Sequence, residues 1–251
     1  MVNVIRVPYH LDEYLPDLDL PLTPHSSVVT QLLAGDIWER LAALYSDVAD
    51  EVVSVVELGE RPVAVAGDCM TSLGVVAGLQ RAGLDVSVVW FDAHGDLQTL
   101  ETTKSGYLGG MPLRVLVGYR PELISERLRL RPVPEQHVVL VGARDLDPPE
   151  IEFLAGSQIV HTDLEGFGVD DVPGGPLYVH LDVDVLDPSY LPGLRFPAPG
   201  GPTMSRVLES LQVLLDTGRV AALGVACTWH PGYAAGDRIN AALLEILTDT
   251  S

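Results

Sequence analysis

Short apolar runs, each closed by a turn former or a polar group, recur along the chain. Val63-Ala64-Val65-Ala66, Val88-Val89-Trp90-Phe91, Val138-Val139-Leu140-Val141 and the stretch Val220 to Ala226 show no polar alternation. Each reads as a strand buried on both faces, as in a parallel sheet covered by helices. Leu177 to Pro188 differs. It alternates, placing His180, Asp182 and Asp184 on one face and Val179, Leu181 and Val183 on the other. Between these runs the spacing predicts helices. Ser26 or Ser27 caps one that carries Val28, Leu32, Leu33, Ile37, Leu41 and Leu44, with Gly35 as its weak point, and a second covers Val48 to Leu58. Others run from Thr71 to about Arg81, from Met111 to Val117, from Pro121 to Leu128, and onward from Pro148-Pro149, whose missing amides suit a first turn. Met204 to Leu215, started by Thr203 or Ser205, and Asp237 to Leu247 complete the set, with Ile159-Val160 as a short strand. Met1 to Pro24 opens as a strand and continues as a loop; Leu97 to Gly110 is a polar, glycine-bearing loop. Strands alternating with helices predict an α/β fold: one doubly wound parallel sheet whose ligands sit at the carboxyl ends of the strands.

The candidate chemistry lies at those ends. The run Val88 to Phe91 leads directly into Asp92-Ala93-His94-Gly95-Asp96, so three ligand-type side chains fall at every second position. One imidazole between two carboxylates is a hard, mainly oxygen-donor set suited to a divalent ion such as manganese, with zinc as an alternative. Asp182 and Asp184 stand in an otherwise apolar strand, where unpaired carboxylates are costly to bury. A bound cation compensates them. The donors exceed one site's needs, which points to two metal ions sharing a bridging carboxylate. At the third strand end, Gly67-Asp68-Cys69 turns into a helix and brings Cys69 toward the same place.

Composition narrows the partners. The 251 residues are 47% hydrophobic, enough for one large domain spanning 1–251, with no linker, repeat or low-complexity tract. A formal charge of −20 argues against nucleic acid or an anionic membrane as a partner. No apolar run is long enough to span a bilayer. Cys69 and Cys227, the two cysteines, do not form a disulfide framework, and no leader-like segment opens the chain, so a cytoplasmic setting is expected.

Taken together, Gly67-Asp68 with a following ligand-type residue, Asp92-Ala93-His94-Gly95-Asp96, and Asp182-Val183-Asp184-Val185-Leu186-Asp187-Pro188, in that order, resemble the arginase/agmatinase (ureohydrolase) family. Pro197-Ala198-Pro199-Gly200-Gly201-Pro202-Thr203 is similar to that family's proline- and glycine-rich loop, and Pro231-Gly232-Tyr233 to the turn before its last helix. The resemblance implies a three-layer α/β/α domain and a homotrimer or homohexamer. It also implies two divalent ions, Mn2+ first and Zn2+ or Fe2+ as alternatives. One ion would take Cys69, Asp92, Asp96 and Asp182, the other Asp92, His94, Asp182 and Asp184. The implied reaction is hydrolysis of a C–N bond in a guanidino, N-hydroxyguanidino or amidino group by metal-activated water, with Asp96 orienting the water.

Three positions depart from the family pattern. Cys69 stands where the family carries a histidine, and a thiolate is the softer donor. Thr228 replaces a glutamate that pairs with the guanidinium, so a less basic substrate is expected. Gly109 falls where arginases place a proton-shuttling histidine; His230, with His180 behind it, is the candidate to take that role. Thr103, Ser105, Asp147 and Glu150 match positions that hold the tail of an amino acid, and Tyr107 replaces an asparagine among them. The same residue types are also ordinary helix and turn caps. A metal-dependent amide hydrolase or deacetylase, and a non-catalytic member of the family, are the competing readings.

Overall fold

The computed structural model describes residues 1–230, 232, 233 and 235–248. Strands β1 (Val2–Val7), β2 (Tyr9–His10), β3 (Glu13–Tyr14) and β4 (Ser26–Ser27) precede helix α1 (Ile37–Glu57). There follow β5 (Arg61–Ala66), α2 (Ser72–Arg81), β6 (Ser87–Phe91), α3 (Pro112–Leu116), α4 (Ser125–Leu128), β7 (Val138–Val141), α5 (Pro148–Gly156) and β8 (Val160–Thr162). The chain closes with β9 (Leu177–Asp182), α6 (Met204–Asp216), β10 (Val220–Ala226) and α7 (Ala235–Thr248). Eight strands form one sheet in the order β4-β1-β5-β10-β9-β6-β7-β8, and every pairing in it is parallel. The sequence expectation of a doubly wound α/β sheet is met.

Two apolar layers cover this sheet. On one face α1 and α2 pack over Ile5, Ala64, Trp90 and Tyr178; on the other α6 and α7 pack over Val63, Val89, Val179 and Val225. Burying each such Val or Leu side chain contributes about 1.5–3 kcal/mol. The contact between α1 and α2 is unusually close. A Cβ on Gly78 would lie 2.6 Å from the Ala49 carbonyl oxygen, so this helix crossing requires glycine there.

Helix α1 differs from the sequence expectation. Ser26-Ser27 does not cap a helix but pairs with Ile5 and Arg6 as the edge strand β4. The helix starts ten residues later, where Asp36 Oδ1 accepts from the Glu39 amide at 2.9 Å and Glu39 Oε2 from the Asp36 amide at 3.2 Å. That reciprocal cap satisfies two otherwise orphaned amides, worth about 1 kcal/mol. It then runs unbroken through 21 residues, because Leu41, Leu44, Tyr45, Val48, Val52 and Val55 form one buried stripe across the expected gap. From Pro121 only Ser125–Leu128 is helical, closed by Arg129 at φ 55°.

The topology positions the site. The sheet's four middle strands, β5, β10, β9 and β6, point their carboxyl ends the same way. They deliver, in spatial order, Cys69, Thr228, Asp182 with Asp184, and Asp92 with His94.

Candidate metal centre

Each strand delivers its donor through a tight local turn. After β5, Asp68 caps a short 3-10 turn, accepting from the Met70 amide at 2.9 Å and the Leu11 amide at 2.6 Å, and Cys69 is held at the strand-to-helix corner. After β9, Asp182 Oδ1 accepts from the Asp184 amide at 2.9 Å, which folds the chain into the turn Val183–Val185. After β6, Asp92 Oδ1 accepts from the His94 amide at 2.7 Å. The extended spacing does not continue to Asp96, whose φ is +54°. A left-handed residue other than glycine is strained, though Asp tolerates it better than most, and here it turns the carboxylate inward.

A cleft of about 280 Å³ opens over these turns. Cys69, Asp92, His94, Asp96, Asp182 and Asp184 line its floor; Gln98, Ser105, Tyr107, Asp145, Asp147, Glu150, Phe196 and Thr228 line its walls. Cys69 Sγ donates to Asp182 Oδ2 at 2.8 Å and Thr228 Oγ1 to Asp182 Oδ1 at 3.0 Å. His94 Nδ1 lies 3.2 Å from Asp184 Oδ2 and 3.4 Å from Asp92 Oδ1. Trp90 Nε1 donates to Asp92 Oδ2 at 3.1 Å.

The electrostatics are those of a site built around cations. Burial, then the neighbouring carboxylates, push Asp96 and Asp182 well above the usual carboxylate range and raise the Cys69 thiol. Burial, then Asp92, lifts Asp184 from 3.8 to about 6. Burial works against the charged form of His94, but its bonds to Asp184 and Asp92 prevail and carry it up to about 12. Asp92 is also opposed by burial, yet His94 holds it below its ordinary value. Burial drives His180 down to about 3, so its ring is neutral.

Two groups of side chains bring donor atoms within 4.8 Å of one another: Asp92, His94 and Asp184, and Cys69, Asp92 and His180. Asp96 Oδ2 and His180 Nε2 are buried without a hydrogen-bond partner. Crowded acids that hold protons for want of a counter-charge, beside orphaned donor atoms, fit a pair of divalent ions. The oxygen-rich His94 group suits manganese; the group with Cys69 is softer.

The remaining candidates are dispersed. Glu150 is buried, and its two oxygens accept from the Leu97 amide at 3.1 Å and the Asp147 amide at 3.0 Å, which fixes the 92–97 turn to α5. Asp147 accepts from Gln98 at 2.9 Å and Lys104 at 3.1 Å. Ser105 Oγ accepts from the Tyr107 amide at 3.2 Å; Thr103 Oγ1 accepts from the Gly106 amide and is not among the cleft-lining residues. His230 is exposed and likewise does not line the cleft. Pro231 lies outside the described residues. Both cysteines are free thiols.

Sequence reasoning missed His10, Phe196, Gln98, Asp145 and Arg144. Tyr107 OH lies 3.2 Å from His10 Nε2, and the two rings stack at 5.7 Å. The Tyr107 ring also fills the space that a side chain at 109 would need: a Cβ on Gly109 would lie 2.3 Å from it. Arg144 binds the carbonyls of Gly142, Asp184, Val185, Leu186, Ala198 and Pro199, joining the loop 197–201 to the Asp184 turn.

Among solved structures, the arginase of Bacillus subtilis superposes with a TM-score of 0.83 at 24% identity, covering 99% of this chain and 97% of that one. Formimidoylglutamase from Bacillus subtilis gives a TM-score of 0.72 at 17% identity, covering 99% of this chain and 85% of that one. Among curated proteins, the arginase of Bacillus subtilis is 32% identical over 187 residues, 69% of this chain and 63% of that protein. The arginase of Eremothecium gossypii is 31% identical over 204 residues, 75% and 51% respectively. The chain thus spans between about half and 63% of the length of these two curated relatives. The Arginase family model matches residues 8–248, and the chain belongs to the arginase family.

Proposed function

We propose that this chain is a metal-dependent hydrolase that cleaves a C–N bond in a small guanidino, N-hydroxyguanidino or amidino compound. The observation that carries the reading is the cleft floor itself, where buried Asp92, Asp96, Asp182 and Asp184 converge with His94 and Cys69 at the strand ends. Asp92, His94, Asp184, Asp182, Asp96 and Cys69 would hold two divalent ions, with manganese favoured wherever the donors are oxygen and imidazole. When bound, such a pair acidifies a water and polarises the carbon it attacks. The partnerless Oδ2 of Asp96 is placed to accept a hydrogen bond and would orient such a water in the cleft floor.

Proton return to the leaving nitrogen falls to Tyr107. Its hydroxyl lies in the cleft wall, backed by His10 Nε2 at 3.2 Å, and burial followed by the nearby Asp68 charge raises it well above a phenol's ordinary value. It therefore stays protonated until the strongly basic leaving nitrogen departs and takes its proton, while the contact with His10 Nε2 holds the hydroxyl in place. With Thr228 tied to Asp182, no carboxylate at that position can pair with a guanidinium. A substrate less basic than arginine or agmatine fits. Asp147 is half exposed at the rim, where an ammonium tail would displace Lys104 from its Oδ1, while Glu150 acts by bracing the turn. The same reading places the protein in the cytoplasm as a homo-oligomer; no helix among the described residues is long and apolar enough to cross a membrane.

The test combines elemental analysis with a panel of guanidino, N-hydroxyguanidino, amidino and amide compounds. The expected result is about two ions per chain and release of urea or a urea analogue. Release of carboxylates from amides alone would replace this reading with an amide hydrolase, and absence of bound metal would end it.

A further inference from the structure

His180 is the one fully buried imidazole in this region that the mechanism does not use. Its ring stacks on Trp90 with centroids 3.7 Å apart, which fixes the plane. Nδ1 is engaged by Ser72 Oγ at 3.0 Å and Tyr178 OH at 3.4 Å. Tyr178 donates in turn to Ser72 Oγ at 2.8 Å, so two hydroxyls converge on one side of the ring. The other side carries Nε2, buried and with no partner. A ring nitrogen of His180, the Cys69 sulfur and an Asp92 oxygen lie within 4.8 Å of one another. Donors sharing one zinc-sized ion stand no more than about 4.6 Å apart, since such bonds run to about 2.0–2.3 Å. Ser72 Oγ can accept from Nδ1, and in that tautomer the ring offers its Nε2 lone pair to an ion, the arrangement in which an outer hydrogen bond fixes a ligating imidazole.

We propose that His180 Nε2 ligates the first ion together with Cys69 and Asp92, restoring from β9 the imidazole that the corner after β5 lacks. This rests on the metal-hydrolase reading above and sharpens it. A thiolate, imidazole and carboxylate form a borderline set that selects zinc or cobalt, beside the harder set of His94, Asp92 and Asp184. The centre is then a mixed one, with a zinc-type ion deep in the floor and a manganese-type ion toward the cleft.

X-ray absorption on the zinc-loaded full chain decides the matter. If zinc fills both sites, two imidazoles per thiolate are expected; if only the deep site, one of each. A single imidazole per thiolate at two zinc per chain, or a zinc shell with sulfur and no imidazole at one, overturns the assignment while leaving the hydrolase reading intact. A chain that binds no metal sinks both. His180→Gln should weaken the first zinc by more than about 100-fold, beyond what loss of an outer partner costs, and should bleach the visible bands of the cobalt form. Unchanged zinc affinity and an unchanged cobalt spectrum in the folded variant count against it; if that variant fails to fold, the wild-type absorption result stands alone.

Discussion

On the His94 side of Asp92 the donors already hold one another. His94 bonds Asp184 and Asp92, Asp184 Oδ1 takes the Ala93 amide at 3.3 Å, and the ring is 27% exposed to the cleft. On the Cys69 side Sγ is a buried thiol, and His180 Nε2 and Asp96 Oδ2 have no partner. One half is satisfied through an imidazolium–carboxylate network and partly exposed; the other is buried and keeps two donor atoms without a hydrogen-bond partner. A single fold thus builds two unlike half-sites around a shared carboxylate, and their metal chemistry should diverge accordingly.

The largest effect should come from the shared group. Asp92→Ala is expected to remove both ions, taking elemental content from about two per chain to near zero and turnover with it; retention of one tightly held ion would show that the halves are independent. Separating the halves comes next. His94→Asn should keep a thiolate-bound cobalt with its charge-transfer band, and Cys69→Ser should lose that band but retain manganese. Cys69→His should preserve or tighten metal binding and shift preference toward manganese; unchanged affinity and preference would argue that the thiol is no ligand.

Tyr107→Phe is expected to lower kcat by about 10²–10⁴ with little change in KM or metal content. Loss confined to KM would move Tyr107 from proton donor to substrate wall. Metal loading should also release protons. Cys69, Asp96 and Asp182 have raised values and so hold protons in the metal-free protein, and His94 stays charged up to about 12. Cations displace those protons, so affinity must rise with pH by about tenfold per unit for each one displaced; a pH-independent affinity in weakly buffered titrations would contradict this. The smallest effect is expected at Thr228→Ala, where losing the bond to Asp182 should weaken the first ion by roughly 3- to 10-fold, the worth of one hydrogen bond of about 0.5–1.5 kcal/mol, and leave the second untouched.

The sheet and the floor of the site were legible because both are local in sequence. An apolar run that ends in Asp, His or Cys states strand and ligand together, and the parallel topology then gathers the ends. Helix α1 was misplaced because two serines resemble a cap, and only tertiary pairing with β1 shows them to be an edge strand. Its fusion into one helix depends on a buried stripe through Leu44, Tyr45 and Val48 that the polar Ser46-Asp47 between the two expected helices concealed. The cleft walls were less legible. His10 on the short strand β2 belongs to no motif and Phe196 only borders the 197–203 loop, and both meet Tyr107 through tertiary packing alone. Alternation placed His180 on the Asp182 face, yet nothing in the sequence indicates that Nδ1 is taken and Nε2 is free.

The packing of Tyr107 against Gly109 has a consequence for how such a site can change over generations. A histidine introduced at 109 would force the Tyr107 ring away from His10, because its Cβ alone would lie 2.3 Å from that ring. A smaller residue at 107 on its own would vacate the wall and lose the hydroxyl. The two positions are therefore epistatic: either substitution is harmful alone, and a route between a tyrosine-type and a histidine-type proton donor has to cross a double replacement or an intermediate with neither.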